Sequence, residues 1–389
     1  MDCECATNNV VEHGVKRPTV IVVGQTPPPH EGQAVMIAAM IEGLRDRLSV
    51  VPIRMAFSAS VTEAGAFAWH KVGHLFSLIR RTRAALRAHP GAILYYPPAP
   101  PRTMAVWRDI AFLTPVRRLA RTTIFHFHAA GLAGYLWDHP WVRGLARRAY
   151  AAPDAAIVQT PEAEEDGQSL HARRVAVIPN GRDVPLVPRQ RPAGRFRLLY
   201  VGIHRRTKGI FDAIETLQEL RRRGVDADLH TAGAWFVESE RAEAQRRMAE
   251  LGLADRIHMH GVLTGDPLWR QYADADVFLY PTFYPWESQG LVVVEAMAYG
   301  LPVVASDWRG PRDVVVDGVT GFVCPAHDVR AYADALERLA RDPQLRARFG
   351  AAGRKRYEER YTMRRFIGDL ERLFREVAEE KRGNGESHE

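Results

Sequence analysis

Two doubly wound, Rossmann-like α/β domains facing each other across a cleft are the fold this sequence predicts, and three observations predict it. Short β-branched runs alternate with longer helix-period stretches, the pattern of parallel-sheet proteins. The alternation runs twice, broken once by the proline- and arginine-rich stretch GRDVPLVPRQRPAGRF at 181–196. A length of 389 residues gives each half enough chain for its own core.

In the first half the strand candidates are TVIVVG (19–24), VVPIRM (50–55), AILYYP (92–97), TTIFHFH (122–128), AAIVQT (155–160) and VAVIP (175–179). Helical patterns fall between them, for example at 34–48 and at 103–120, the latter expected to kink or split at Pro115. After the break come FRLLYVG (196–202), DLHTAG (228–233), RIHMHG (256–261), VFLYP (277–281), PVVAS (302–306) and GFVC (321–324). Three helical stretches close the chain near 328–342, 344–358 and 362–380. The expected division is a flexible N-terminus (1–18), a first domain (19–181), a linker (182–196) and a second domain (197–361). A helix at 362–380 is expected to pack back towards the first domain, ahead of a polar tail at 381–389.

A 46% hydrophobic share with 25% charged residues describes an ordinary globular protein. No run approaches the ~20 apolar residues of a membrane span, and the first eighteen residues contain no apolar h-region of a secretory signal. Cys3, Cys5 and Cys324 supply neither a disulfide framework nor four-ligand zinc spacing. A reducing cytoplasm is the expected setting. Residues 1–190 hold 22 Lys and Arg against 15 Asp and Glu, so the whole net charge of +7 sits in the first half. An anionic substrate or an anionic membrane surface fits that excess. Nucleic acid does not, because no basic run is interleaved with aromatics and no recognition module is present.

In parallel sheets ligands gather at the carboxyl ends of strands, where helix N-termini also collect. After the first strand comes GQTPPPHEGQAV (24–35), where Gly32 permits close backbone approach at a helix start; the loop reads as a plain turn or as an anion receiver. GIHRRTKG (202–209) opens the second domain, with Lys208, Arg205 and Arg206 suited to a diphosphate or forming a solvated basic turn. Only five of the 53 basic residues are lysines, which gives Lys208 weight. His128 ends the strand TTIFHFH, with His126 two residues back on the same face. In YPWESQGLVVVEAMAYG (284–300), Glu287 stands before a helix beginning near Gly290, and Glu295 lies inside it. Their α-carbons are roughly 12 Å apart along an ideal axis, a spacing that suits two contacts on one extended ligand. The amides of Ser288, Gln289, Gly290 and Leu291 would face anything anionic between them. Asp226/Asp228 and Asp274/Asp276 are each expected just before a strand, away from the cleft, so no metal site is assigned.

These features resemble the retaining, GT-B-fold glycosyltransferases of the "glycosyl transferases group 1" family. ESQGLVVVE looks like the family's E-x7-E element, YVGIHRRTKGIFDAIE like its G-x-x-x-x-x-K-G segment, VIPNGRD like its P-N-G-x-D turn, and PPPHEGQAVM like its N-terminal glycine loop. The resemblance implies a nucleotide-sugar donor, with Lys208 and a nearby arginine on the diphosphate, Glu295 on the ribose and Glu287 on the transferred sugar. It places Ser288, Gln289, Gly290 and Leu291 beside that sugar, His128 near it, and Gly32 near the phosphates. Leaving-group charge would fall to protein cations and helix dipoles, with no cofactor and no metal. Ile203 stands where many relatives carry an arginine, and Arg205 or Arg206 is left to replace it. The acceptor, a glycan or a lipid-linked glycan, would lie mainly on the first domain, in polysaccharide or glycolipid biosynthesis. The segment 66–89, rich in apolar residues and arginine, is either a helix lying on anionic lipid or a solvated helix face. That would make the protein peripheral to the inner face of the membrane. The rival readings are a nucleotide-sugar epimerase and a non-catalytic sugar-nucleotide or glycan binder.

Overall fold

The structure, a computed structural model, describes residues 17–28, 32–55, 57, 69–191 and 194–386. The first half runs β1 (Thr19–Gly24), α1 (Gly32–Leu44), β2 (Ser49–Arg54), α2 (Trp69–Ala88), β3 (Ile93–Tyr96) and α3 (Thr103–Arg117). It continues with β4 (Thr122–His126), α4 (Leu132–Asp138), α5 (Pro140–Tyr150), β5 (Ala155–Val158), α6 (Glu164–Ser169) and β6 (Val175–Val177). These strands form one parallel sheet ordered β2-β1-β3-β4-β5-β6. The runs Ile93–Tyr96 and Ala155–Val158 are buried throughout, as strands covered on both faces must be.

The second half runs β7 (Phe196–Val201), α7 (Ile210–Arg222), β8 (Ala227–Ala232), α8 (Glu238–Glu250), β9 (Ile257–Met259), α9 (Asp266–Asp274) and β10 (Val277–Tyr280). Then follow α10 (Leu291–Ala298), β11 (Val303–Ser306), α11 (Arg309–Val314), β12 (Gly321–Cys324), α12 (Val329–Arg341), α13 (Pro343–Arg360) and α14 (Met363–Glu386). Its sheet is ordered β12-β11-β10-β7-β8-β9 and is again parallel. The chain therefore folds as α/β with two Rossmann-like sheets, the α/β architecture expected from the alternation.

α14 packs on the first sheet. Phe366, Ile367, Leu370, Leu373, Phe374 and Val377 join the core around Val20, Val22, Ile37 and Met40. At roughly 1.5–3 kcal/mol for each buried side chain, the helix is a strong clamp from the chain's end to its beginning. It continues to Glu386, into the stretch expected as a polar tail.

Three local expectations are corrected. Pro115 neither splits nor ends its helix at once: it sits in the last turn of α3, where the missing N–H removes one bond from a helix that stops at Arg117 anyway. β4 ends at His126, so His128 stands beyond the strand. Asp228 is not ahead of its strand but within β8, and buried. No helix among the described residues is long and apolar enough to cross a membrane. Of the segment 66–89, residues 66–68 lie outside the described residues; 69–88 form α2, with Val72 and Phe76 exposed.

Candidate functional site

The bonds that join the two halves come from loops at carboxyl ends of strands. Asn180 N donates to Gln289 Oε1 (2.6 Å) and Gln289 Nε2 donates to Asn180 O (3.1 Å), a two-bond tie after β6. Ser288 Oγ donates to Gln159 Oε1 after β5, and Glu162 N donates to Asp313 Oδ2 (3.0 Å). Of the predicted residues, Ser288 and Gln289 take part in these bonds directly.

Glu287, in the loop after β10, is buried and accepts three bonds on Oε2: from Lys208 Nζ (2.7 Å), Thr282 Oγ1 (2.9 Å) and Tyr280 OH (3.0 Å). Lys208 ends a short 3-10 turn after β7, with Nζ also 4.4 Å from the centre of the Tyr284 ring. The loop reaches Glu287 because residue 209 is glycine. Its φ is 82°, and a Cβ there would lie 2.0 Å from Pro281 O. A larger residue would push the Lys208 loop off the β10 loop.

Glu295 has a separate set of partners. It lies in the second turn of α10, where Tyr272 OH donates to Oε2 (2.8 Å) and Arg182 Nε to Oε1 (3.1 Å). Burial pushes its carboxyl pKa up, against the pull of Arg182. Between the two glutamates, Gly290 caps α10 at φ 76°, and no side chain caps that helix start. Uncapped N–H groups with the positive end of the helix dipole form a receptor for an anion.

From the first half, His128 is half-buried, its ring 4.1 Å from that of His126. Gln159 Nε2 donates to His128 Nδ1 (3.1 Å), which leaves the histidine proton on Nε2, facing Tyr95 OH at 3.5 Å. Burial pushes the His128 imidazolium down to about 3, so the ring is neutral near pH 7. His128, Gln159 and Ser288 thus form one chain of hydrogen bonds across the seam.

The two arginines separate. Arg206 is tied to α8 through Glu243 (2.5 Å) and Glu240 and lies over Phe211, so it is not brought to Glu287. Arg205 lies over Phe236 at 5.3 Å. Gly32 opens α1, and a Cβ there would meet nothing within 4 Å; residues 29–31 of its loop lie outside the described residues. Gln289, expected beside the ligand, spends its side chain on the inter-domain tie. Sequence reasoning missed Gln159, Arg182, Tyr272, Tyr280 and Thr282. Gln159, Tyr280 and Thr282 had one available signal, their places at or just past the carboxyl ends of predicted strands.

Trp286, the residue before Glu287, walls a cavity of about 400 Å³ between the halves, lined also by Tyr135, Asp138, Glu165 and Asp166 from the first half and by Arg309 from the second. Asp166 accepts from Gly131 N (2.8 Å) and Ala133 N (2.7 Å), fixing α4 at its start, while burial raises its carboxyl to about 6. Arg102 lies over the Trp286 ring at 4.5 Å.

Two Rossmann-like domains with a polar seam between the carboxyl ends of their strands are the architecture of the GT-B fold. The family model described as "Glycosyl transferases group 1" matches residues 187–356, from the linker through most of the second half. An alpha-D-kanosaminyltransferase from Streptomyces kanamyceticus is 27% identical over 370 residues, 90% of this chain and 93% of that protein. A D-inositol 3-phosphate glycosyltransferase from Xylanimonas cellulosilytica is 34% identical over 280 residues, 59% of this chain and 66% of that protein. The capsular polysaccharide biosynthesis glycosyltransferase CapM of Staphylococcus aureus is 29% identical over 48% of each chain, so some relatives match over only half their length. Among solved structures, a sucrose-phosphate synthase from Thermosynechococcus elongatus superimposes with a TM-score of 0.73 at 21% identity, over 93% of this chain and 99% of that one. Anabaena HepE in complex with UDP gives 0.71 at 18% identity, over 92% and 100%.

Proposed function

We propose that the chain transfers a glycosyl group from a nucleoside-diphosphate sugar to a hydroxyl of a glycan or lipid-linked acceptor, with retention of anomeric configuration. The observation that carries this reading is the Lys208–Glu287 pair at 2.7 Å, with Glu287 four residues before Leu291, where α10 starts without a side-chain cap. In this reading the diphosphate lies between Lys208 and the N–H groups of Leu291 and Val292, the ribose hydroxyls meet Glu295, and the sugar meets Glu287 and His128. As the anomeric C–O bond breaks, negative charge grows on the departing phosphate oxygen, where the cation and the helix dipole stabilise it without reorganising. His128 is no ready base, because burial pushes its pKa down to about 3, and Glu287 already has Oε2 tied to Lys208, Tyr280 and Thr282. The acceptor proton then passes to the departing phosphate oxygen, on the face where the new bond forms. Retention and the absence of a metal from this step rest on the motif resemblance.

Tyr135 and Trp286 give the neighbouring cavity flat walls, and its carboxylates accept hydroxyl protons, chemistry that suits the hydroxyl-rich rings of a glycan acceptor. Trp137 is 75% exposed and Trp141 91%, near Arg143, Arg147 and Arg148 of α5. Aromatic tips above a basic helix fit the headgroup layer of an anionic bilayer, and peripheral attachment there would bring a lipid-linked acceptor to the cleft. Co-sedimentation with anionic vesicles should fall in Trp141→Ala and with added salt; equal recovery on neutral vesicles would remove the membrane part.

The reaction is tested by nucleotide release and thermal stabilisation across UDP-, GDP-, ADP- and TDP-sugars, beginning with UDP because HepE was solved with it. One nucleotide series should stabilise the protein and be turned over. A folded protein that none of the sugars or their free diphosphates stabilises would reject the donor site and leave a glycan-binding role.

A further inference from the structure

We propose that Asp228, His230 and His258 bind a divalent transition-metal ion such as Zn²⁺, at mid-strand on the outer part of the second sheet and apart from the cleft. The parallel register sets His230 of β8 opposite His258 of β9, so the rings share one face, with centroids 4.5 Å apart. Asp228 is two residues back along β8, on that same face. One ligand atom from each of the three lies within 4.8 Å of the others.

Two of those side chains hold atoms that the protein leaves unbonded. His230 is 7% exposed and its Nε2 has no hydrogen-bond partner; Asp228 is 8% exposed and its Oδ1 has none. Buried polar atoms in this state destabilise a fold unless something coordinates them. The other nitrogen of His230, Nδ1, lies 3.0 Å from His260 Nε2. With the proton on Nδ1 and donated to His260, the His230 Nε2 lone pair is free, the arrangement by which an outer histidine orients a metal ligand.

The surrounding charges select the kind of ion. Arg195 and Arg256 each come to 3.6 Å of Asp228 Oδ1, but both are nearer Asp226, at 3.3 and 2.5 Å. Arg191 is held on Asp276 at 2.5 Å, while the Arg197 guanidinium lies near Asp228, Asp274 and Asp276. These arginines oppose any cation held by charge alone. Affinity must come from imidazole nitrogen, which favours Zn²⁺ or Co²⁺ over Ca²⁺ or Mg²⁺. Bound there, the ion would fasten β9, a three-residue edge strand, to β8.

The test uses the full chain with Cys3→Ser and Cys5→Ser, so that those thiols do not compete, stripped by chelator and titrated with Co²⁺ and then Zn²⁺. The expected result is one ion per chain, visible Co²⁺ ligand-field bands displaced by Zn²⁺, and a raised melting temperature. His230→Ala and His258→Ala should each abolish the bands and the thermal gain, while His260→Ala weakens affinity by about tenfold. Circular dichroism of the metal-free variants identifies any that fail to fold, and His258, the more exposed of the two, supplies the variant least exposed to that failure. Absence of bands in the parent, or bands of parental strength in the folded His258→Ala variant, would overturn the site.

Discussion

The first half orders its strands β2-β1-β3-β4-β5-β6 and the second β12-β11-β10-β7-β8-β9, yet the two supply functional residues differently. In the second half, the groups around Glu287 come from neighbouring loops: Lys208 after β7, with Tyr280 and Thr282 at the end of β10. In the first half, His128 is oriented by Gln159, and Gln159 in turn bonds Ser288 across the seam. One half builds its site locally; the other completes its site only when the halves are together. Substitutions in the second half should therefore act on chemistry or local fold, and those on the seam should act on how the halves hold each other.

The largest effect is expected at the charge pair. Lys208→Ala and Glu287→Gln should each lower turnover by about 10²–10³-fold with the fold intact, the range seen when one transition-state donor is lost. Circular dichroism with product release checks this, and near-normal turnover in either would remove that residue from the chemistry. A comparison of glycines comes next. Gly209→Ala forces a Cβ against Pro281 O at φ 82° and should cost about 3 kcal/mol. Gly32→Ala, with open space around it, should leave the melting temperature unchanged.

Acid should loosen the second half through His204, which is buried with both ring nitrogens unbonded and has its pKa lowered by burial to about 4. The unfolded chain binds that proton near 6.5, so stability is full above 6.5 and falls as pH drops towards 4. His204→Leu should flatten that part of the melting curve against pH, and an unchanged slope would clear His204 of the effect. A small effect is expected at the seam. Gln289→Ala removes both bonds to Asn180 and should cost about 1 kcal/mol in denaturant melts.

Most strands were legible because buried parallel strands write themselves as short apolar runs, and Ile93–Tyr96 and Phe278's strand are such runs. The residue types at Lys208, Glu287 and Glu295 were legible because each follows a strand within one local motif. Arg182 was not: it meets Glu295 across 113 positions, and its own segment reads only as a turn. Ser288 and Gln159 are 129 positions apart, and neither predicts the other. The choice between Arg205 and Arg206 was equally closed, since Glu240 and Glu243 on a separate helix decide where Arg206 goes. His230 and His258 became neighbours only through strand register.

The central claim is that Glu287 and Glu295 hold opposite ends of one nucleotide-sugar. Calorimetric titration of each variant with the preferred nucleoside diphosphate, and with the matching nucleotide-sugar, tests it most directly. Glu295→Gln should weaken both ligands by a similar factor, because both carry the ribose. Glu287→Gln should weaken only the sugar-bearing ligand and leave the bare diphosphate as tight or tighter, since Lys208 is released from its partner. Equal loss of both ligands in both variants, or no loss in Glu295→Gln, would contradict the account.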